Sequence, residues 1–475
     1  MESKKILKGI KWTGIQVVLD TVLRFSVRLI LAKLLIPEEF GLIAMCTVFI
    51  AVAESASELG MGSALIQRKI IEDGQTLYST AFWSGIFWGG LIFIIMSFLI
   101  APLAAHFYKE PFLIKIIPFL SLGILFKPFG LIHLVILTRN MEFKKLSKSY
   151  NISSLFAGLV GILLAYFDYG VWALVAHQII TSIMPIPLLY FYVKWKPSFF
   201  WNRNYFKEIF GFGAYSTGTG IFSTLTYNID NLMIGKVLGA ALLGSYSLSF
   251  SLTETVRQLI SNVLNKVMFP VFAQSQDDKE KLRSFFLKII NINAIVIYPI
   301  MTMLILFGDS IITNFFGSKW TSSILPLKIL AMAIMTHLLV NSFTSLIRGI
   351  GKPKLEMKII VGLTLFVLIP CLFFGITYYG LTGAAFAILV NKIALVIIGI
   401  TVLKREIGLT VFMVFNAVKN VVFAIIISAL LIIGLKIYFS IQSNLFLVMI
   451  YILVYLGIVV FLEKKNIKNL LTKIG

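Results

Sequence analysis

Between Lys11 and Gln67 the chain reads KWTGIQVVLDTVLRFSVRLILAKLLIPEEFGLIAMCTVFIAVAESASELGMGSALIQ, two long apolar stretches with charges in their interiors. The first stretch holds Asp20, Arg24 and Arg28, and the second holds Glu54 and Glu58. Steps of four residues keep side chains on one helical face, so Asp20, Arg24 and Arg28 form one polar stripe and Glu54 and Glu58 another. A charge near a bilayer centre costs about 2.5–3.5 kcal/mol on the mildest insertion scale, so each stripe must face protein or water. If the stretches are consecutive antiparallel spans, Arg24 lies within a turn of the depth of Glu54, and Asp20 within a turn of that of Glu58. Two readings are open: a buried ion-pair ladder that fixes helix packing, or the wall of a polar cavity inside the membrane.

Working outward, 59% of the 475 residues are hydrophobic and only 13% are charged, the composition of an integral membrane protein. Apolar runs of about 20 residues, enough to cross the hydrocarbon, recur from end to end. The first run is long and carries no small-residue cleavage site, so it reads as a span and not as a cleaved signal. The two cysteines, Cys46 and Cys371, both lie inside apolar runs, so neither a disulfide nor a cysteine metal site is expected. The net charge of +21 does not indicate nucleic acid, because the basic residues sit mostly in short loops.

The pattern predicts an all-α membrane fold of about 14 spans, among them 10–34, 41–66, 209–235, 243–270, 357–378 and 382–403. Lys4, Lys8, Arg68, Lys69, Arg139, Lys144, Lys194, Lys281, Arg348, Lys404 and Lys464 then fall on one side. The other side carries only Lys33, Lys109, Lys236, Lys319 and Lys436, which places both termini in the cytoplasm. Trp83, Trp172, Trp195, Trp201 and Trp320 fall near expected span ends, where interfacial indoles are common. The chain also repeats. LILAKLL at Leu29–Leu35 followed by Gly41 echoes LMIGKVL at Leu232–Leu238 followed by Gly244, and Tyr169-Gly170 echoes Tyr379-Gly380. These echoes predict two six-span lobes in a pseudo-two-fold arrangement, 1–198 and 199–404, with two further spans in 405–475. Parallel repeats of this kind are a transporter architecture with a substrate site near the midplane.

The deepest cations are Arg24, Lys127, Arg257 and Lys392, two in each half, and Arg28 joins them. They outnumber the acids expected at comparable depth, so an anionic partner or abundant water is needed; guanidinium and ammonium groups suit phosphate and carboxylate. Glu254 accompanies Arg257 in span 8. Asn228, Asp230 and Asn231 in span 7 read equally as cavity lining or as an interhelical hydrogen-bond knot. His133, His177 and His337 show no ligand spacing and read as packing residues, so no metal site is expected. No Walker motif, HExxH or Ser/His/Asp arrangement occurs, and ATP is not expected as the direct energy source.

RLILAKLLIPEEFGL at Arg28–Leu42, ELGMGSALIQ at Glu58–Gln67, NIDNLMIGK at Asn228–Lys236 and LGSY at Leu243–Tyr246 carry a family resemblance. The chain resembles the Wzx-type polysaccharide exporters, lipopolysaccharide and teichuronic-acid branch, of the multidrug/oligosaccharidyl-lipid/polysaccharide flippase superfamily. The resemblance implies a flippase and not an enzyme, working by alternating access in a bacterial cell membrane. Its implied cargo is a polyprenyl-diphosphate-linked oligosaccharide, moved from the inner to the outer leaflet through a cationic cavity between the lobes. Implied partners are that cargo, membrane lipids and other polysaccharide-assembly membrane proteins. No cofactor is implied, and an H+ or Na+ gradient is left as the energy source. Close alternatives are a peptidoglycan lipid-precursor flippase, whose cargo also carries a diphosphate, and a cation-coupled drug exporter, which would favour an acidic cavity. A polysaccharide polymerase or ligase would be expected to need a larger external loop than any present.

Overall fold

The computed structural model describes residues 19–57, 60–67, 74–438 and 444–471, without the side chains of 63, 208–216, 219, 262–267, 269–270, 438 and 464–471. Glu58, Lys4, Lys8, Arg68 and Lys69 lie outside the described residues. All regular structure among the described residues is helical. Eleven of these helices are long and apolar enough to cross a membrane. One of them, Pro353–Ile407, is broken at Gly380 into two legs, where the sequence predicts two spans. The span expected at 10–34 is described only from residue 19.

The helices form two compact units, Met1–Ser247 and Leu248–Gly475. The first unit contains α1 (19–34), α2 (Pro37–Ser57), α3 (Met61–Gln67) and α4 (Gly74–Tyr108). It continues with α5 (Leu113–Arg139), α6 (Phe143–Tyr166), α7 (Val171–Tyr192) and α8 (Arg203–Tyr227). The long α9 (Ile229–Gln274) begins in this unit and turns sharply at Gly239, where φ is 81°. The compact boundary falls past α8 because α8 packs along α2, α3 and α4. The second unit contains the rest of α9, then α10 (Lys279–Phe316), α11 (Ser318–Gly349) and α12 (Pro353–Ile407), with α13 (Val411–Tyr438) and α14 (Asn444–Leu471).

The sequence echoes have backbone counterparts. Gly170 adopts φ 57°, ψ −131° and Gly380 adopts φ 57°, ψ −136°, a region open in practice only to glycine. In the same register, Met141 and Gly351 both take positive φ, 57° and 78°. At Gly170 the absent side chain also makes room for Glu39, whose Oε1 lies 2.5 Å from where a Cβ would stand. The other oxygen of Glu39 accepts from the Ile36 amide at 2.9 Å, so one carboxylate bonds within the α1–α2 turn and lies against the α6–α7 turn.

Inside the second unit, a backbone group that proline leaves orphaned is rescued from a distance. Pro299 sits within α10 and has no N–H for the Ile295 carbonyl four residues back. In hydrocarbon such a carbonyl must find a donor, and the Tyr455 hydroxyl of α14 donates to it at 2.7 Å. Asn420 of α13 donates to Glu463 of α14 at 2.9 Å, and Asn291 of α10 donates to the Ala417 carbonyl at 2.8 Å. Hydrogen bonds therefore tie α13 and α14 to α10 as well as apolar packing does. Trp320, expected at an interface, is instead completely buried at the start of α11. Trp83, Trp195 and Trp201 spend their indole N–H groups on the Ser198 carbonyl, Gln75 and Ser84 respectively.

Candidate functional site

In the first unit, the four-residue spacing of Asp20 and Arg24 produces a same-helix pair, with Arg24 Nε 2.9 Å from an Asp20 carboxylate oxygen. The sequence had brought Arg24 close in depth to Glu54. Arg24 is instead held by its own helix, since a carboxylate one turn away needs no second helix to meet it. Asp20 also accepts from Ser154 of α6 at 2.5 Å, which links α1 to α6. Arg28, half-buried one turn further on, donates through Nη2 to the Ser247 hydroxyl at 2.8 Å and to its carbonyl at 3.4 Å. Among the described residues Arg28 has no carboxylate partner. Arg24 and Arg28 lie within electrostatic reach of His177 on α7, and Lys127 and Arg24 within reach of Tyr150 on α6. Three of the expected cations thus converge on one region built by α1, α5, α6 and α7.

The span-7 trio makes hydrogen bonds to nearby groups, and Asp230 reaches across the Gly239 turn. Asp230 is buried, accepts from the Tyr246 hydroxyl at 2.7 Å and receives the Asn231 amide at 2.9 Å. Asn228 returns its side-chain amide to the Thr224 carbonyl at 2.8 Å and so closes the end of α8.

The second unit assembles its own basic cluster. Glu254 and Arg257, three apart on α9, form a two-point pair: Nε to Oε2 at 2.9 Å and Nη2 to Oε1 at 2.5 Å. Gln258 adds a donor to Glu254 at 3.1 Å, and Asn341 accepts from Arg257 Nη1 at 2.8 Å. Lys392 on α12 lies within electrostatic reach of Glu254 and of His337 on α11. Because Arg257 requires the Asn341 oxygen, the Asn341 Nδ2 must point away, and it is buried without a protein partner, as is His337 Nδ1. Two orphaned polar atoms beside two cations make this a place for water or a polar ligand.

Ser154, Ser247, Gln258, His337 and Asn341 were not among the residues singled out for the site. Gln258 was within reach, because it lies one turn beyond Glu254 on the same face. The serines and Asn341 are met through contacts distant in sequence, and nothing in spacing marks them. His133, in contrast, behaves as the packing residue expected, stacked on Tyr190 with ring centroids 3.8 Å apart.

Away from the clusters, Glu110 sits in the turn between α4 and α5, where burial first and the nearby Glu38 carboxylate second raise its pKa above the ordinary carboxylate value. A raised carboxyl favours the folded state only while protonated. Its contribution is complete below the ordinary carboxylate value and is lost as pH rises through the raised one. Glu110→Gln should remove that part of the pH dependence of thermal unfolding in detergent. A profile identical to that of the parent chain would contradict the assignment.

The fold is that of a multi-pass helical membrane protein with charged clusters inside its spans. The chain belongs to the family described as polysaccharide biosynthesis protein, whose profile matches residues 30–325. It is 27% identical over 374 residues to the teichuronic acid biosynthesis protein TuaB of Bacillus subtilis, covering 77% of this chain and 76% of that one. It is 25% identical over 393 residues to the lipopolysaccharide biosynthesis protein WzxC of Escherichia coli, covering 82% and 79%. Among solved structures, the lipid II flippase MurJ in its inward closed conformation shares the fold, with a TM-score of 0.76 at 16% identity over 96% of this chain and 100% of that one.

Proposed function

We propose that this protein flips a polyprenyl-diphosphate-linked oligosaccharide, a precursor of a cell-surface polysaccharide, from the cytoplasmic to the outer leaflet of a bacterial cell membrane. The observation that carries this reading is Arg28. A guanidinium within a span is costly, and this one is met by serine oxygens, with Arg24, Lys127 and His177 around the same region. A diphosphate supplies the missing negative charge, and arginine can grip phosphate oxygens with paired hydrogen bonds. Membership of a polysaccharide biosynthesis family and a fold shared with a lipid flippase support the same cargo class.

In this reading the protein works by alternating access, and the Arg24–Arg28–Lys127 and Arg257–Lys392 clusters each meet the diphosphate at some stage of the cycle. The glycan needs a wet path, and the prenyl tail stays in lipid. The functional lobes are 1–198 and 199–404, with 405–475 as an addition, and both termini are cytoplasmic. An H+ or Na+ gradient supplies the energy. A peptidoglycan lipid precursor is the second reading, favoured by the likeness to a lipid II flippase; the sequence relatives favour the first.

The test is replacement of the gene in its host. Loss of the protein should remove the surface polysaccharide and leave cell-wall synthesis intact, and the parental chain should restore export. Arg28→Ala, expressed at parental level, should restore it on the order of 10- to 100-fold less well, the loss expected of about 1.5–3 kcal/mol of charge-assisted hydrogen bonding. Intact polysaccharide with failing wall synthesis would select the second reading. Full restoration by Arg28→Ala would remove the cationic site.

A further inference from the structure

We propose that Ser247 is a positioning residue that couples the arrival of an anionic group to the parting of a glycine seam at the Pro37–Gly239 end of the first unit. The geometry begins with the repeat. The register that aligns Lys33 with Lys236 and Gly41 with Gly244 also aligns Pro37 with Ala240. A Cβ on Gly41 would stand 1.7 Å from the Ala240 carbonyl oxygen, and a Cβ on Gly244 would stand 1.7 Å from the Pro37 carbonyl oxygen. Each repeat thus lays its glycine on the partner repeat's carbonyl, reciprocally, as in a two-fold interface. Gly235 continues the seam, where a Cβ would lie 2.8 Å from Tyr108 and 3.3 Å from Met45.

Backbone laid on backbone has no side chain that can yield gradually, so this seam is either closed or parted, the bistable kind of contact that conformational switches use. Polar ties accompany it. At the far end of α2, Ser55 and Thr224 of α8 share a hydrogen bond of 3.0 Å between two neutral hydroxyls. The tie between Arg28 on α1 and Ser247 on α9 is different in kind, because one member is a cation. A phosphate oxygen outcompetes a serine hydroxyl for a guanidinium, since a charged acceptor makes the stronger bond. A ligand can shift such an equilibrium only through differential affinity, and Arg28 supplies it: held by Ser247 in the closed seam, released to the anion in the parted one. Ser247 therefore keeps the seam shut while Arg28 is unliganded. The topology proposed above places this end on the outer face, where release must follow loading. The identity of the competing anion rests on the diphosphate-cargo reading, whereas the latch itself does not.

The test uses the full chain in detergent with Cys46→Ala, Cys371→Ala and a reporter Ala240→Cys, whose position is buried at 4% exposure in the closed seam. Reaction with a bulky maleimide should be slow, and inorganic pyrophosphate should speed it on the order of tenfold, the value of one charged hydrogen bond. Ser247→Ala should react fast without pyrophosphate, and Ser247→Thr, which keeps the hydroxyl, should return to the slow rate. Arg28→Ala should be fast and indifferent to pyrophosphate. Parental protection in Ser247→Ala would overturn the latch. A fast Ser247→Ala combined with a parental chain that ignores pyrophosphate, or that responds equally to sulfate, would keep the latch and overturn the diphosphate as its trigger.

Discussion

Arg257→Ala should lose most of its folded protein from the membrane, not only its transport. Arg257 satisfies both oxygens of Glu254 and donates to Asn341 as well. Glu254 is buried, at 8% exposure, so removing the guanidinium leaves a buried carboxylate that keeps the Gln258 donor but has lost its two-point pairing with a cation. Breaking a buried pair from one side costs about 3–5 kcal/mol, a large share of the stability of most proteins. The structure therefore separates two roles that a single alanine variant confounds. The double variant Arg257→Ala/Glu254→Gln removes the stranded charge along with its partner, and its level in the membrane should recover. Its export should not recover, if the cation is what meets the cargo. Membrane level by immunoblot and surface polysaccharide, measured on the same cells, decide the matter. A double variant that regains both would make Arg257 purely structural.

Gly41→Ala and Gly244→Ala should each lower the unfolding temperature in detergent and raise the reactivity of a cysteine at position 240. Overpacking a core by a methyl group costs about 1–3 kcal/mol when side chains can shift. Here the obstacle is a carbonyl at 1.7 Å on both sides, so the helices themselves must separate. Because one separation relieves both clashes, the double variant should cost clearly less than the sum of the singles, the non-additivity expected of residues sharing one contact. Gly90→Ala provides the control. It lies in a helix with nothing within 4 Å of the added carbon, so alanine should be neutral or stabilising by up to about 1 kcal/mol. Equal tolerance of alanine at positions 41, 90 and 244 would show that the seam is not closed in the membrane.

Much of this molecule was legible from residue order alone, for reasons tied to its solvent. In hydrocarbon every backbone group must be satisfied within the chain, so length and hydropathy announce helices. The repeat was legible because glycine is kept where backbone meets backbone or φ turns positive. Gly41 and Gly244 proved to be the first kind, Gly170 and Gly380 the second. The charges Arg24, Arg28, Lys127, Arg257 and Lys392 could be picked out as well, because a charge in an apolar run stands out without any structure. Their partners could not. Arg24 meets Asp20 on its own face, whereas Arg28 meets Ser247, Arg257 meets Asn341 and Asp20 meets Ser154 across long stretches of chain. Neutral hydroxyls and amides carry no periodic signal, since any helix face in a membrane tolerates them by bonding back to its own carbonyls. Whether such a group closes on its helix or reaches a distant arginine depends on which helices are neighbours, and that is settled by packing in three dimensions.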